Sequence, residues 1–438
     1  MNILVVGSGA REHAIITALN RSPKQPQIFC CGTSVNPGIK AQTQGYWVGD
    51  IRNCSDILQM AYEWNIQLVI IGPEAPLEQG LADQLWAASI PVIGPKKNLA
   101  KIETSKSFAR QLMHKYEIPG LPAYRVFADM NGISEFLNEL GEGNYVIKAN
   151  GLMGGKGVKV AGDHLHSFRE AMHYCKEIFN LGQTLVIEEK LIGQEFSLMC
   201  FCDGQRIVPM PLVQDHKRAF INDKGPNTGG MGSYSDADHS LPFLQKEDIE
   251  QALKINQGVL RALMQQENDK YIGILYGGFI ATAKGVYVIE FNARFGDPEA
   301  LNVLTLLKTD FVELCQCLVT NDLSSISVDF AAKATVCKYV VPLGYPDNPV
   351  KNTSLDISKV KNKSCLYLAS VDVKNNQLIA AGSRTAAFVG VADSIAEAEQ
   401  LAEKEINAIS GELYHREDIG TAKLINERVQ FMHELRSL

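Results

Sequence analysis

The chain has 438 residues, 46% of them hydrophobic, and a net charge of −7. That length supports two to four domains at about 150 residues each, and the mild acidity excludes bulk affinity for nucleic acid, which needs a concentrated basic surface. No apolar run approaches the ~20 residues of a membrane span, no signal peptide is expected ahead of the first strand, and 10 cysteines without two-residue-spaced pairs read as buried free thiols of a reducing, cytoplasmic compartment.

The first hundred residues alternate strand and helix. Strands are expected over 3–6, 28–30, 68–71 and 92–93, and helices over 11–19, 55–64 and 77–88. That alternation predicts a parallel, doubly wound, Rossmann-like sheet, whose ligands sit at the carboxyl ends of the strands. Two turns fall there, Gly7-Ser-Gly-Ala-Arg-Glu-His13 and Gly72-Pro-Glu-Ala-Pro76. A dinucleotide fingerprint wants glycine where Glu12 stands. Amides at Gly9 to Arg11 remain able to hold one phosphate at a helix N-terminus, unless the turn is merely tight. Glu74 is either a ribose ligand or a plain carboxylate at a helix start.

A helix is expected over 105–116, then strands over 145–149 and 158–161 around Gly151-Leu-Met-Gly-Gly-Lys-Gly157, and a helix over 168–178. The glycines admit backbone amides to a phosphate and Lys156 adds charge. Asn150 and Gly157 break the P-loop pattern, and both flanks read as strands, so a hairpin covering a nucleotide fits better than a P-loop; a flexible surface turn is the alternative. Lys148, on the strand before this loop, needs an anion, either a phosphate or an internal carboxylate. Further strands are expected over 185–189, 196–202 and 207–212. Backbone groups at Glu188-Glu-Lys-Leu191 could meet an adenine, with Glu195 on the ribose, or the segment is simply a charged strand end.

Residues 214–235 read as a long polar loop carrying Asp215-His-Lys-Arg218 and Gly225-Pro-Asn-Thr-Gly-Gly-Met-Gly232, suited to substrate and phosphate contacts or else disordered. A helix over 248–265 and a hairpin of strands over 274–282 and 286–291 follow. In Val288-Ile-Glu-Phe-Asn-Ala-Arg-Phe-Gly-Asp-Pro-Glu299, alternation puts Glu290 and Asn292 on one face, with Arg294 continuing it. Oxygen ligands suit Mg²⁺ and an adjacent arginine suits a carboxylate or its phosphorylated form; alone, the stretch is equally a strand ending in a surface ion pair. After a polar break at 322–329, strands over 335–341, 366–373 and 385–391 and a helix over 394–409 form a small α+β domain.

Read in order, these segments resemble the phosphoribosylamine–glycine ligase family, a branch of the ATP-grasp enzymes. The matching pieces are the 7–14 and 72–77 turns, Lys148 with 151–158, Gln214 to Arg218, 225–232, Glu290 to Glu299, Gly344-Tyr-Pro346 and Arg416-Glu-Asp-Ile-Gly420. The resemblance implies three parts: a Rossmann-like domain over 1–104, an ATP-grasp domain over 105–328 with a mobile lid at about 124–190, and a substrate-closing domain over 329–438. It implies a cytoplasmic, monomeric ligase that consumes ATP, glycine and 5-phosphoribosylamine with Mg²⁺ (or Mn²⁺), and has no nucleic-acid or membrane partner. Arg294, Lys217 and Arg218 would be catalytic. Lys106, Lys148, Gly154, Gly155, Lys156, Glu188, Glu189, Leu191 and Glu195 would bind ATP. Gly9, Arg11, Glu74, Asp215, Asn227, Thr228, Gly229, Gly230, Asp297 and Arg384 would bind substrate, and Glu290 and Asn292 the metal. The chain departs from the family at Ala10, Met153-Gly154, Ala293, Ala300-Leu301 and Ser383, which touches substrate geometry rather than reaction class. Another ATP-grasp carboxylate–amine ligase or a related carboxylase, a nucleotide sensor without turnover and a nicotinamide dehydrogenase are the competing readings.

Overall fold

The computed structural model describes residues 1–153 and 157–437. Five parallel strands pair in the order Gly45–Val48, Gln27–Gly32, Asn2–Val6, Leu68–Ile71, Val92–Ile93. Residues 3–6 and 68–71 are buried throughout, as a parallel sheet covered on both faces requires. The chain winds outward on one side of Asn2–Val6 and returns through Leu68–Ile71 on the other. The 7–13 and 72–76 turns therefore sit together at the switch point. The edge strand Gly45–Val48 was not expected; it is only four residues long, partly buried or exposed, and its Tyr46-Trp47-Val48 run is too short to stand out from a turn. The single helix expected over 77–88 is two, Glu74–Glu78 and Leu81–Ala87, broken at Gly80 with φ of 82°.

Two antiparallel four-stranded sheets follow. The first, hereafter the clamp sheet, has the order Tyr124–Phe127, Leu185–Glu189, Tyr145–Ala149, Val158–Val160. It carries its own small core, including Phe136, Ile147, Cys175 and Ile187, under helix Phe168–Asn180. The second, the floor sheet, has the order Ile207–Pro209, Gln194–Asp203, Ile272–Thr282, Gly285–Asn292. Helix Lys246–Glu267 packs on it through Ile255, Val259 and Leu263.

The expected loop at 214–235 is largely strand. Arg218–Phe220 pairs with Lys224–Asn227 as a hairpin. Gln214–Asp215 pairs with Gly232–Ser235, which pairs in turn with Ala334–Pro342. These polar residues thus begin a C-terminal sheet completed by Ala386–Ala392 and Leu366–Leu368, so the middle and C-terminal parts share a sheet across the expected boundary at 328. Gly232 is needed there: its φ is 155°, and a Cβ would lie 2.3 Å from the Cys337 carbonyl oxygen. The strand expected over 366–373 ends at Leu368, and Val371–Lys374 joins a separate sheet with Gln377–Ala380 and Thr353–Leu355. Helix Glu299–Leu306 was not expected because seven of its eight residues are buried, which erases the amphipathic period. All ten cysteines are free, but Cys317 and Cys365 are partly exposed rather than buried. Among the described residues no helix is long and apolar enough to cross a membrane.

Candidate active site

The floor-sheet strand Gly285–Asn292 presents Glu290 and Asn292 on the face opposite buried Phe291. Gly278 pairs with Glu290 across the sheet, and its missing side chain leaves the face open. Lys217 approaches from the 214–218 segment, its Nζ 3.6 Å from both Glu290 Oε1 and Glu195 Oε2. Lys217 and Glu290 keep 37% and 39% of their side-chain surface exposed, so a ligand can reach the pair. Burial would raise the Glu290 carboxyl, but Lys217, Lys148, Lys106 and Arg294 outweigh it and hold the group below the usual carboxylate range. Lys217 is held above its ordinary range, the carboxylates of Glu290, Glu195, Asp215 and Glu299 overcoming its burial.

Lys148 comes from the clamp sheet. Its Nζ lies 2.7 Å from Glu188 Oε2 and donates to the Ile289 carbonyl at 2.9 Å. The internal carboxylate that the sequence left open against a phosphate is therefore present. Arg110 Nε and Nη2 donate to the two Glu188 oxygens at 2.7 and 3.1 Å, and Nη2 also reaches the Val288 and Ile289 carbonyls. Burial would raise the Glu188 carboxyl, yet Arg110 and Lys148 pull it down to about 2. Its side chain is thus committed to tying the clamp sheet to the floor, which leaves backbone groups for an adenine. Glu189 Oε1 accepts from the Ala123 amide, and Leu191 lies just past the strand end. Lys106 opens helix Lys106–Lys115 and donates to the Gly151 carbonyl at 2.8 Å. Burial, with Lys148 beside it, lowers its pKa. Gly154, Gly155 and Lys156 lie outside the described residues.

Arg294 turns toward the N-terminal sheet. Nε donates to Glu74 Oε2 at 3.2 Å, Nη1 to the Phe295 carbonyl at 3.1 Å, and Nη2 reaches Asn292 Oδ1 at 3.4 Å and Glu103 Oε1 at 2.9 Å. A guanidinium has five N–H donors, so one on Nη1 is left for a ligand. Glu103 is a member of this group that the sequence reading missed. It sits on helix Lys97–Thr104, accepts from the Ala293 amide, and burial pushes its carboxyl up to about 7 against the pull of Arg294. Burial also works against Glu74, but Arg294 and Arg11 keep that carboxyl low. Arg11 donates to Glu12 Oε1 at 2.6 Å and to the Phe295 carbonyl. Glu12, standing where a fingerprint has glycine, accepts from the Gly9 amide at 2.7 Å. The chain's own carboxylate therefore takes the Gly9 donor expected for a phosphate.

Asp215, on strand Gln214–Asp215, faces a narrow cleft with Lys217, Glu195, Ser197 and Tyr276. Its Oδ1 is buried without a partner among the described residues. Burial and the Glu299 charge push the carboxyl well above its ordinary value, against Lys217 and Arg384. Glu299, also absent from the expected set, accepts from the Tyr276 hydroxyl at 2.9 Å, and burial raises it too. Asp297 accepts from Tyr339 and from Arg384 Nη2 at 2.9 Å. Arg384 Nη1 donates to the Gly229 and Gly230 carbonyls, while Thr228 and Asn227 hold the Lys217 carbonyl and pair with Arg218. Arg218 itself does not join the Glu290 cluster. Its guanidinium turns to Asp163 and His164 of the clamp side, away from the Lys217 and Arg294 with which it was grouped as catalytic.

Family models for the phosphoribosylglycinamide synthetase N domain, ATP-grasp (A) domain and C domain match residues 1–103, 104–300 and 335–422 in turn. The chain belongs to the phosphoribosylglycinamide synthetase family. Within this family it is 45% identical over 436 residues to the phosphoribosylamine–glycine ligase of Methanocella arvoryzae, covering 100% of both chains. It is 48% identical over 435 residues to that of Methanoregula boonei, covering 99% of this chain and 100% of the relative. The crystal structure of phosphoribosylamine–glycine ligase from Thermotoga maritima superposes with a TM-score of 0.81 at 26% identity, over 95% of this chain and 100% of that one. A biotin carboxylase–β,γ-ATP complex from Campylobacter jejuni shares the fold at 14% identity, with a TM-score of 0.72 over 99% of this chain and 98% of that one.

Proposed function

We propose that this chain ligates glycine to 5-phosphoribosylamine, with ATP converted to ADP and phosphate, giving glycinamide ribonucleotide for purine biosynthesis in the cytoplasm. The observation that carries the reading is the convergence of Lys106, Lys148, Lys217 and Arg294 on Glu290, in a chain similar along its full length to ligases of that name. A glycine carboxylate is a poor electrophile. Moving the γ-phosphoryl of ATP onto one of its oxygens gives glycyl phosphate. The amine of phosphoribosylamine then attacks the carbonyl carbon, phosphate leaves, and the amine proton is released. Phosphoryl transfer needs alignment and charge neutralisation more than a covalent helper, and this side-chain set supplies both.

Lys106 and Lys148, with Lys156 from outside the described residues, neutralise the phosphates. Arg294 holds the glycine carboxylate through its remaining Nη1 hydrogen; Glu74, Glu103 and Asn292 fix the fork so that no rotamer freedom is lost on binding. Backbone groups at Glu188, Glu189 and Leu191 receive the adenine, and Glu195 the ribose. Arg11, Asp215 and the 227–230 turn line the acceptor side. Glu290 and Asn292 offer a carboxylate kept ionised by its lysines and an amide oxygen on one face. That donor set fits Mg²⁺ or Mn²⁺, which takes one or two side chains and completes its shell with water and phosphate; when bound, the ion neutralises phosphate charge. The test is ADP release by the purified protein. It is expected only when glycine and freshly generated phosphoribosylamine are both present, and release with a different amine but not with this one overturns the assignment.

A further inference from the structure

Arg218 is the conspicuous residue that the Glu290 cluster does not use. It lies on strand Arg218–Phe220 next to Lys217, and alternation sends the two side chains opposite ways. Lys217 points into the site. Arg218 Nη2 donates to Asp163 Oδ2 at 2.9 Å, and Nη1 lies 3.2 Å from His164 Nε2. Asp163 and His164 follow Val158–Val160, the edge strand of the clamp sheet. The turn is also held from within the clamp, where Lys190 Nζ donates to the Ala161 carbonyl at 2.7 Å.

The other end of this linkage is rigid. Arg218 Nη1 donates to the Gly225 carbonyl across its own hairpin, and the Arg218 carbonyl accepts from Arg416 Nη1 at 3.1 Å. Arg416 is fully buried and pairs with Asp223 and Asp418, each at 2.7 Å. Arg428 grips Asp223 as well, and the Asn222 amide donates to Asp418. The hairpin is therefore pinned to the C-terminal part, while one guanidinium reaches across to the clamp. The Lys217 carbonyl, one residue before, is fixed by the Thr228 amide and hydroxyl at 2.7 and 2.8 Å. One stiff segment thus carries both the cation facing Glu290 and the clasp on the clamp sheet.

We propose that Arg218 is a positioning residue that latches the clamp sheet to the acceptor side through Asp163, so that nucleotide and glycine strengthen each other's binding. The proposal rests on the ligase reading above. Lys217 faces Glu290, on which Arg294, the glycine contact, also acts; a nucleotide that sets the clamp and a glycine that sets this end of the site therefore favour the same pairing, and each ligand lowers the cost of ordering met by the other. Arg218 and Asp163 keep 22% and 47% of their side-chain surface exposed. An ion pair this wet is worth a few-fold in an equilibrium constant rather than orders of magnitude.

The experiment measures the dissociation constant of a non-hydrolysable ATP analogue with Mg²⁺, without and with saturating glycine, by titration calorimetry on the full chain. Wild type, Asp163→Asn, Arg218→Met and the double variant are compared. The expected result is tighter analogue binding with glycine in the wild type, an enhancement cut about threefold in each single variant, and no further loss in the double. Enhancement unchanged in the single variants, or losses that add in the double, overturns the latch. If Arg218→Met fails to fold, Asp163→Asn on its half-exposed turn decides alone. A wild type that turns over both substrates without any enhancement overturns the latch and leaves the ligase reading standing. A wild type that binds no nucleotide overturns the ligase reading and the latch with it.

Discussion

Replacing Glu188 with Gln tests how the clamp is fixed to the floor. The carboxylate is 3% exposed and sits between Arg110, 2% exposed, and Lys148, 6% exposed, with contacts of 2.7 Å to each. Removing its charge strands two buried cations, and breaking such a pair costs roughly 3–5 kcal/mol. Linkage gives a similar figure. The carboxyl falls from 4.5 to about 2 on folding, about 3 kcal/mol at roughly 1.36 kcal/mol per unit. The folded pKa is depressed, so this stability is fully present above pH 4.5 and is lost as pH falls toward 2. At pH 7 the variant should melt roughly 3 °C lower if the chain unfolds as one unit, and its acid limb should lack the component between pH 4.5 and 2. Lys148, whose pKa burial already lowers against the attraction of Glu188, should lose its proton more readily and raise the ATP KM about tenfold or more. Calorimetric melting across pH and steady-state kinetics read both effects. A variant with parental melting temperature and parental ATP KM refutes the argument.

Glu290→Ala should abolish ADP formation at millimolar Mg²⁺, and unchanged turnover would remove Glu290 from the metal assignment. His13 is held by burial at about 4, and its Nδ1 accepts from the Leu368 amide; with a depressed folded pKa, protonation costs stability as pH drops from 6.5 to 4. A loss of about 3 kcal/mol across that window should vanish in His13→Gln, as denaturant titration at several pH values would show. Gly232→Ala should destabilise the chain by several kcal/mol, since its Cβ meets the Cys337 carbonyl oxygen at a φ of 155°; a parental melting temperature would show that the strand pair relaxes freely.

Much of the fold was legible because its signals are local. Ile3 to Val6 and Leu68 to Ile71 are apolar runs buried on both faces, and Tyr145–Ala149 and Leu185–Glu189 begin and end as their patterns expect. Strand Gly232–Ser235 was hidden because its residues gain their ladder from Ala334–Pro342, about a hundred positions away, and the short hairpin Arg218–Phe220 with Lys224–Asn227 was hidden because it is largely polar and mostly part-exposed. In the site, alternation alone put Glu290 and Asn292 on one face. Glu103 was illegible: it is a single carboxylate on a helix, and only packing brings it 2.9 Å from Arg294. The direction of Arg218 was illegible for the converse reason. Its neighbours in sequence belong to the site, while its side chain points to the clamp.

The most direct test of the account follows an oxygen atom. Glycine labelled with ¹⁸O in both carboxylate oxygens is turned over with ATP and phosphoribosylamine, and the released phosphate is examined by mass spectrometry. If the carboxylate is activated as glycyl phosphate beside Arg294 and Glu290, each phosphate carries one ¹⁸O and the amide retains the other. Phosphate free of label, formed in step with glycinamide ribonucleotide, contradicts it.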